Sequence, residues 1–236
     1  MRREYHNWFS HRLGRHMELL SYGHGGQPVL VFPTSRGRFF EYENSGMIQA
    51  LAGKIDQGHL QVFCVDSVDA ESWYNRSIHP HDRVRRHMTY EEYILFEIVP
   101  LMKGRGGAQQ ISTTGCSLGA YHALNFAMRH PDVTSACISM SGAFDMKSFM
   151  DGYYDNDFYF NNPMDYLPNV DDPWFLDRYR QMRLVLAAGD WDICLGENYR
   201  MAEILGRKVI PHWLDIWSGG ERHDWPLWQR MAVKFF

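Results

Sequence analysis

The stretch "TTGCSLGAYHALNFAMRHP", residues 113–131, decides how the rest of the chain is read. A strand-like run gives way, at Gly115–Cys116–Ser117–Leu118–Gly119, to a helix-like run that stops at Pro131. This is the Gly-x-Ser-x-Gly pattern in the context it needs, a strand before it and a helix after it. The pattern has a mechanical reason. A turn sharp enough to lift the Ser117 hydroxyl off the sheet edge leaves no room for side chains two residues to either side. The helix that follows points its free N–H groups and positive dipole end at the same place. Cys116 is expected to point into the sheet, which leaves Ser117 as the nucleophile. A packing turn with a spectator serine is the alternative reading.

Working outward, strand-like runs at 16–23, 27–33, 59–66, 109–116, 134–142, 183–190 and 209–217 alternate with helical segments. That alternation predicts an α/β fold: a mostly parallel central sheet with helices on both faces. The first two runs flank a Gly-Gly turn and read as a hairpin or paired strands, an antiparallel start. Helices are expected from a cap at Asn44 or Ser45, from a cap at Thr89 with a bend or early stop at Pro100, along 117–130 with one apolar stripe, and over two late segments. One domain spanning 1–236 is expected. The aromatic, Asp- and Asn-rich segment at about 144–180 is too long for a simple connection, and reads either as a lid-like binding loop or as a packed excursion.

A serine on such a turn needs a base, and the base needs an acid to orient it; in this architecture they follow in the order Ser, acid, His. The acid should lie after the 183–190 run, where Asp190 and Asp192 both occur; Asp192 is favoured because it is farther out on its loop. The base must come later still. His212 lies within an apolar, strand-like run, whereas His223 follows a glycine-rich loop and precedes a helix, so His223 is the candidate base. Oxyanion donors are expected at the backbone N–H of Leu118 and in the loop "TSRGRFFEYE", at Ser35 or Arg36. "HPH" at 79–81 is a weak metal motif, with no carboxylate cluster at ligand spacing nearby, and no metal or cofactor is expected.

With 45% hydrophobic and 22% charged residues, the 236-residue chain has ordinary globular composition and can bury a core without disulfides or metal. A net charge of −4 gives no electrostatic reason to expect nucleic acid as a partner. The absence of a long apolar run and of spaced cysteine pairs predicts a soluble chain in a reducing, cytoplasmic compartment, with no membrane span. A homo-oligomer is compatible with the sequence. The basic stretch "HDRVRRHMTYEEY" is expected to be a solvated helix face.

Three segments, "GCSLGAYHALNFAMRHPD", "AAGDWDICLGENYRMAEIL" and "GGERHDWPLWQR", resemble the putative-esterase family of α/β-hydrolases, which includes S-formylglutathione hydrolases, feruloyl esterase modules and mycolyltransferase-like proteins. The resemblance spans most of the chain. It implies an α/β-hydrolase fold and a serine esterase acting on a small-molecule ester, with Ser117, Asp192 and His223 as its triad. It also implies that Trp73 and Tyr74 stand beside the pocket; Arg36, in the early loop, is a further pocket candidate. The loop after the early strand, "PTSRGRFFEYE", departs from the family's usual Asp-Gly or His-Gly forms. An acyltransferase with the same triad and a non-catalytic binding protein are the competing functions.

Overall fold

A computed structural model describes residues 1–236, the surroundings of Gly106 excepted. Its strands are β1 (Arg3–Ser10), β2 (Arg15–Tyr22), β3 (Gln27–Phe32), β4 (Leu60–Val65), β5 (Ile111–Cys116), β6 (Thr134–Met140), β7 (Arg183–Gly189) and β8 (Trp213–Trp217). They form one sheet in the order β1-β2-β4-β3-β5-β6-β7-β8. The β1–β2 and β2–β4 pairings are antiparallel, and every later pairing is parallel.

The two faces of the sheet follow from side-chain alternation. Leu30, Phe32, Phe63, Val65, Leu184 and Leu186 enter one core layer, and their neighbours Val29, Val31, Val62, Cys64, Val185 and Ala187 enter the other. The first layer is covered by the helix Leu118–Arg129 and the excursion after β6, the second by the C-terminal helix Trp225–Phe235 and the short helices before β4. The central strands are buried on both faces, as parallel strands under two helical layers must be. The edge strand β1 instead alternates between exposed and half-buried positions.

Four expectations are corrected. The 16–23 and 27–33 runs do not pair; β4 lies between them, and the antiparallel start is a β1–β2 hairpin turning at Gly14. The Gly25–Gly26 pair serves a close crossing instead, because a Cβ on Gly26 would lie 2.3 Å from the His59 carbonyl carbon. Residues 41–56 form three short helices rather than one capped at Asn44 or Ser45, interrupted at Gly46, whose φ is 74°. The helix expected from Thr89 begins at Pro80, with His79 as its cap. It does not end at Pro100; residues Ile94–Ile98 widen into a π-turn and α-helix resumes at Val99. A π-turn just ahead of proline accommodates its missing N–H.

The fourth correction concerns charge. The basic stretch at 81–93 is only in part a solvated face: Asp82, Arg85 and Glu92 are exposed, but Arg83, His87 and Glu91 are buried. Arg83 donates to the carbonyls of Asn75, Ile78 and Phe149, which removes the cost of an unpaired buried guanidinium. Glu91 joins this helix to the end of Leu118–Arg129, accepting from Arg129 Nε at 2.8 and 2.9 Å and pairing with His130 Nε2 at 2.7 Å. The helix Leu118–Arg129 also has no exposed stripe, since every residue from Leu118 to Met128 is buried.

Burial pushes the Glu91 carboxyl up, but the His130 hydrogen bond and the Arg129 charge outweigh it and bring its pKa to about 2 from an ordinary 4.5. A carboxyl depressed on folding contributes stability above its unfolded pKa and loses it as pH falls through the folded one. Glu91→Gln should therefore cost about 3 kcal/mol at neutral pH. The difference from wild type should shrink steadily between pH 4.5 and about 2. Urea unfolding of both proteins across that range is the measurement.

Candidate active site

The turn after β5 has the geometry its sequence requires. Ser117 has φ 57° and ψ −122°, a left-handed conformation that costs a non-glycine residue about 1–3 kcal/mol. A Cβ on Gly115 would lie 2.3 Å from the Gly119 carbonyl, and one on Gly119 would lie 2.5 Å from the carbonyl oxygens of Phe32 and Pro33. The first glycine permits the turn, and the second lets the helix start against the end of β3. Ser117 N–H donates to the Met140 carbonyl at 3.0 Å, and Ala143 N–H donates to the Ser117 carbonyl, so the turn is also tied to the end of β6. Cys116 is buried, and burial pushes its thiol well above the ordinary range.

The strand ends that follow carry the other groups. Asp192 lies three residues beyond β7, and His223 six beyond β8. His223 Nδ1 is 2.9 Å from Asp192 Oδ1, which also accepts the Cys194 N–H at 2.7 Å. The other oxygen, Oδ2, accepts from the Ser141 hydroxyl. Burial pushes the Asp192 carboxyl up, but the hydrogen bonds from His223, Ser141 and Cys194 outweigh it, and its pKa lies below the ordinary value. An ionised carboxylate only accepts, so His223 Nδ1 carries the proton, and the lone pair of the neutral ring lies on Nε2. Trp228 holds the far side: its Nε1 donates to Ser141 Oγ at 2.7 Å, and its ring meets His223 edge-on at 5.0 Å. Among the described residues no hydrogen bond joins Ser117 Oγ to His223; such contacts are often loose before substrate binds.

Asp190 has a different task. Its carboxylate accepts the N–H groups of Gly219, Gly220 and Glu221, led by Gly219, and they lower its pKa. It shapes the loop that carries His223. Gly189 lets that loop cross, since a Cβ there would lie 2.1 Å from the Glu221 carbonyl oxygen. His212 is not a strand residue; it precedes β8, with Nδ1 2.9 Å from the Ile210 carbonyl.

In the early loop, Thr34 is pinned to Glu41 by its N–H at 2.8 Å and its hydroxyl at 2.7 Å, and Gly37 N–H donates to the Thr34 carbonyl. Arg36 N–H donates to Asp69 Oδ2 at 3.2 Å. Of the two proposed donors in this loop, Arg36 is therefore engaged, and Ser35 N–H has no partner among the described residues. The Arg36 guanidinium lies over the Tyr74 ring, 4.7 Å from its centre. Trp73 is fully buried against His87, Tyr121 and Phe149, so it backs Tyr74 and offers no surface of its own.

Two clusters have metal-ligating side chains: Asp192, Cys194 and His223, and His81, Asp155 and Asp157. The donors fit a metal poorly. Asp192 and His223 are bonded to each other, and burial followed by the Asp192 charge pushes the Cys194 thiol up to about 12. In the second cluster Asp155 already accepts from Tyr153, His81 and the Phe158 N–H, and Arg85 pairs with Asp157. The carboxylates missing beside "HPH" in the sequence thus come from the excursion, already occupied. A cavity of about 370 Å³ opens between the excursion and the far end of the Ser117 helix, lined by Met128, Tyr159, Tyr166, Phe175 and Tyr179. Met128 is eleven residues along that helix from Ser117, roughly 16 Å at 1.5 Å per residue.

Sequence reasoning missed Ser141, Trp228, Asp69 and His122. Ser141 also has a left-handed backbone, at φ 54°. Its "SMSG" context after a strand echoes the Ser117 turn and was the available signal. Asp69 and His122 carry no local signal, because they meet across 53 residues.

A family sequence model described as "Putative esterase" matches residues 10–229. No curated protein sequence matches the chain. Among solved structures, a ferulic acid esterase superposes with a TM-score of 0.77 at 14% identity, covering 99% of this chain and 96% of its own. An S-formylglutathione hydrolase from Agrobacterium tumefaciens gives 0.75 at 12% identity, covering 98% and 92%. One from Staphylococcus aureus gives 0.71 at 16% identity, covering 99% and 94%. At such identities the structures establish the α/β-hydrolase fold, and the match over 10–229 establishes the lineage. Among the described residues no helix is long and apolar enough to cross a membrane. The chain belongs to the putative-esterase family, has the α/β-hydrolase fold and is an esterase.

Proposed function

We propose that this esterase works through Ser117, His223 and Asp192 and passes through an acyl-enzyme. The observation that carries the reading is the 2.9 Å bond between His223 Nδ1 and Asp192, at strand ends beside a strained serine turn. In the proposed cycle His223 Nε2 takes the proton of Ser117 as its oxygen attacks the ester carbonyl. The same nitrogen returns it to the departing alcohol. Asp192 stays ionised and stabilises the imidazolium. Water, deprotonated by His223, then releases the acid and restores the serine.

The tetrahedral oxyanion is assigned to the N–H groups of Leu118 and Ser35. Leu118 is the first residue of its helix, so its N–H has no intrahelical partner. Arg36 and Tyr74, stacked beside the loop, are the proposed pocket wall for a small or medium ester. In this reading residues 1–236 act as one catalytic domain, with the excursion at 144–180 beside the site. Four free, buried cysteines favour a reducing compartment such as the cytoplasm.

Purified protein should hydrolyse p-nitrophenyl acetate and be labelled by a fluorophosphonate. Ser117→Ala should abolish labelling and lower kcat on the order of 10³-fold or more. Full activity in that variant overturns the mechanism. Product partitioning in water–alcohol mixtures separates hydrolysis from acyl transfer: an alcohol ester formed far above its share of the solvent would identify a transferase. Ser141→Ala should lower kcat about tenfold with little change in KM, because a hydrogen bond to a buried charge is worth roughly 1.5–3 kcal/mol. Unchanged kcat would show that Cys194 and His223 alone suffice to hold Asp192.

A further inference from the structure

A second buried acid–imidazole pair lies behind the early loop, outside the proposed triad. His122 Nε2 is 2.9 Å from Asp69 Oδ1, and the side chains are 3% and 1% exposed. His122 lies five residues beyond Ser117 on the same helix. The other carboxylate oxygen, Asp69 Oδ2, accepts the Arg36 N–H. We propose that Asp69 and His122 are positioning residues that fix the Ser35 N–H relative to Ser117, a role that rests on the reading of Ser35 as an oxyanion donor.

The argument is one of accounting for donors. Between Thr34 and Gly37 the chain has four N–H groups. Thr34 gives its own to Glu41, Arg36 to Asp69, and Gly37 to the Thr34 carbonyl. Ser35, the remaining one, has no partner among the described residues. Arg36 reaches Asp69 only in a left-handed conformation, φ 55°, which a non-glycine residue adopts at a cost of about 1–3 kcal/mol. The bond to Asp69 offsets that cost. His122 then refers the loop to the nucleophile's own helix, and its ring stacks on Phe32, the last residue of β3, at 5.8 Å. The same helix approaches the Phe32 and Pro33 carbonyls through Gly119. Both proposed donors, Leu118 N–H and Ser35 N–H, are thereby held to one rigid element. An oxyanion hole acts only when its donors are already aimed where charge develops.

A structural ion pair would affect stability alone, whereas a positioning pair must affect the transition state. Asp69→Asn keeps the shape and one acceptor oxygen. It should lower kcat tenfold or more, leave KM within about threefold, and weaken binding of a trifluoromethyl ketone, whose hemiketal oxyanion needs the same donors, by the same factor as kcat. His122→Gln retains a donor that can reach Asp69 and should stay within about threefold of wild type; His122→Asn, one methylene shorter, should behave like Asp69→Asn. Amide hydrogen exchange at Arg36 should accelerate in Asp69→Asn and His122→Asn, a readout that needs no substrate. If kcat stays within twofold in Asp69→Asn and His122→Asn, or falls without matching loss of ketone affinity, the proposal is overturned. If Asp69→Asn does not fold, the Gln/Asn contrast at His122 decides. A wild-type protein that neither labels nor turns over esters defeats the proposed function instead, and the exchange data still decide whether Asp69 and His122 order the loop.

Discussion

The structure depends on one steric constraint, the approach of backbone to backbone at the turn between β5 and its helix. Gly115 and Gly119 would each place a Cβ within 2.5 Å of main-chain atoms. Backbone cannot yield as a flexible side chain can, so any other residue at either position must push the helix away from the sheet. That helix is buried all round, and the first core layer is built against it. The strain at Ser117 persists because the elements on both sides over-determine it: β6 through the Met140 carbonyl, β3 through Phe32 and Pro33.

From that turn the site follows by sheet order. β5, β6, β7 and β8 are consecutive parallel neighbours, so their C-terminal ends lie along one edge and Ser117, Ser141, Asp192 and His223 are delivered there in sequence. Two carboxylates two residues apart then acquire different tasks from their surroundings. Asp190, half-buried, accepts three backbone N–H groups and sets the path of the 219–221 loop. Asp192, buried, meets side-chain donors and one N–H, and stays ionised against the cost of burial. Burial alone would favour the neutral acid; the hydrogen bonds from His223, Ser141 and Cys194 keep it charged.

What was legible in the sequence is what local geometry encodes. Seven strand-like runs overlap β2 to β8, because alternation and apolar runs are properties of neighbouring residues. Ser117, Asp192 and His223 could be singled out because chain order in this architecture mirrors strand order. β1 was missed: it is an edge strand of polar and aromatic residues with no fully buried face before Ser10. The β2–β3 hairpin misled because a Gly-Gly turn signals a reversal without naming the partner strand, and β4, over thirty residues on, took that place. The start at Pro80 was hidden by a histidine cap, whose ring nitrogen does the work usually read from Ser, Thr, Asp or Asn. The solvated reading of 81–93 failed for Arg83, whose partners are the carbonyls of Asn75, Ile78 and Phe149 and the Asp151 carboxylate, all from outside that stretch.

The remaining polar burial has a common logic. The Ser117 helix bonds to a buried carboxyl group at two points, His122 with Asp69 near its start and Arg129 with Glu91 at its end. Apolar contacts alone would hold such a helix against the sheet while tolerating small slides along it, since dispersion is nondirectional. Buried hydrogen bonds at both ends do not tolerate them, because a displacement of about an ångström leaves a buried polar group unpaired, which costs about 1–3 kcal/mol. Replacing such pairs with apolar residues can leave stability unchanged or raise it, so their stabilising value does not explain them. Fixing the axial position of a helix whose start carries the proposed nucleophile and a proposed oxyanion donor does, and it is a demand that the proposed chemistry makes and the fold alone does not.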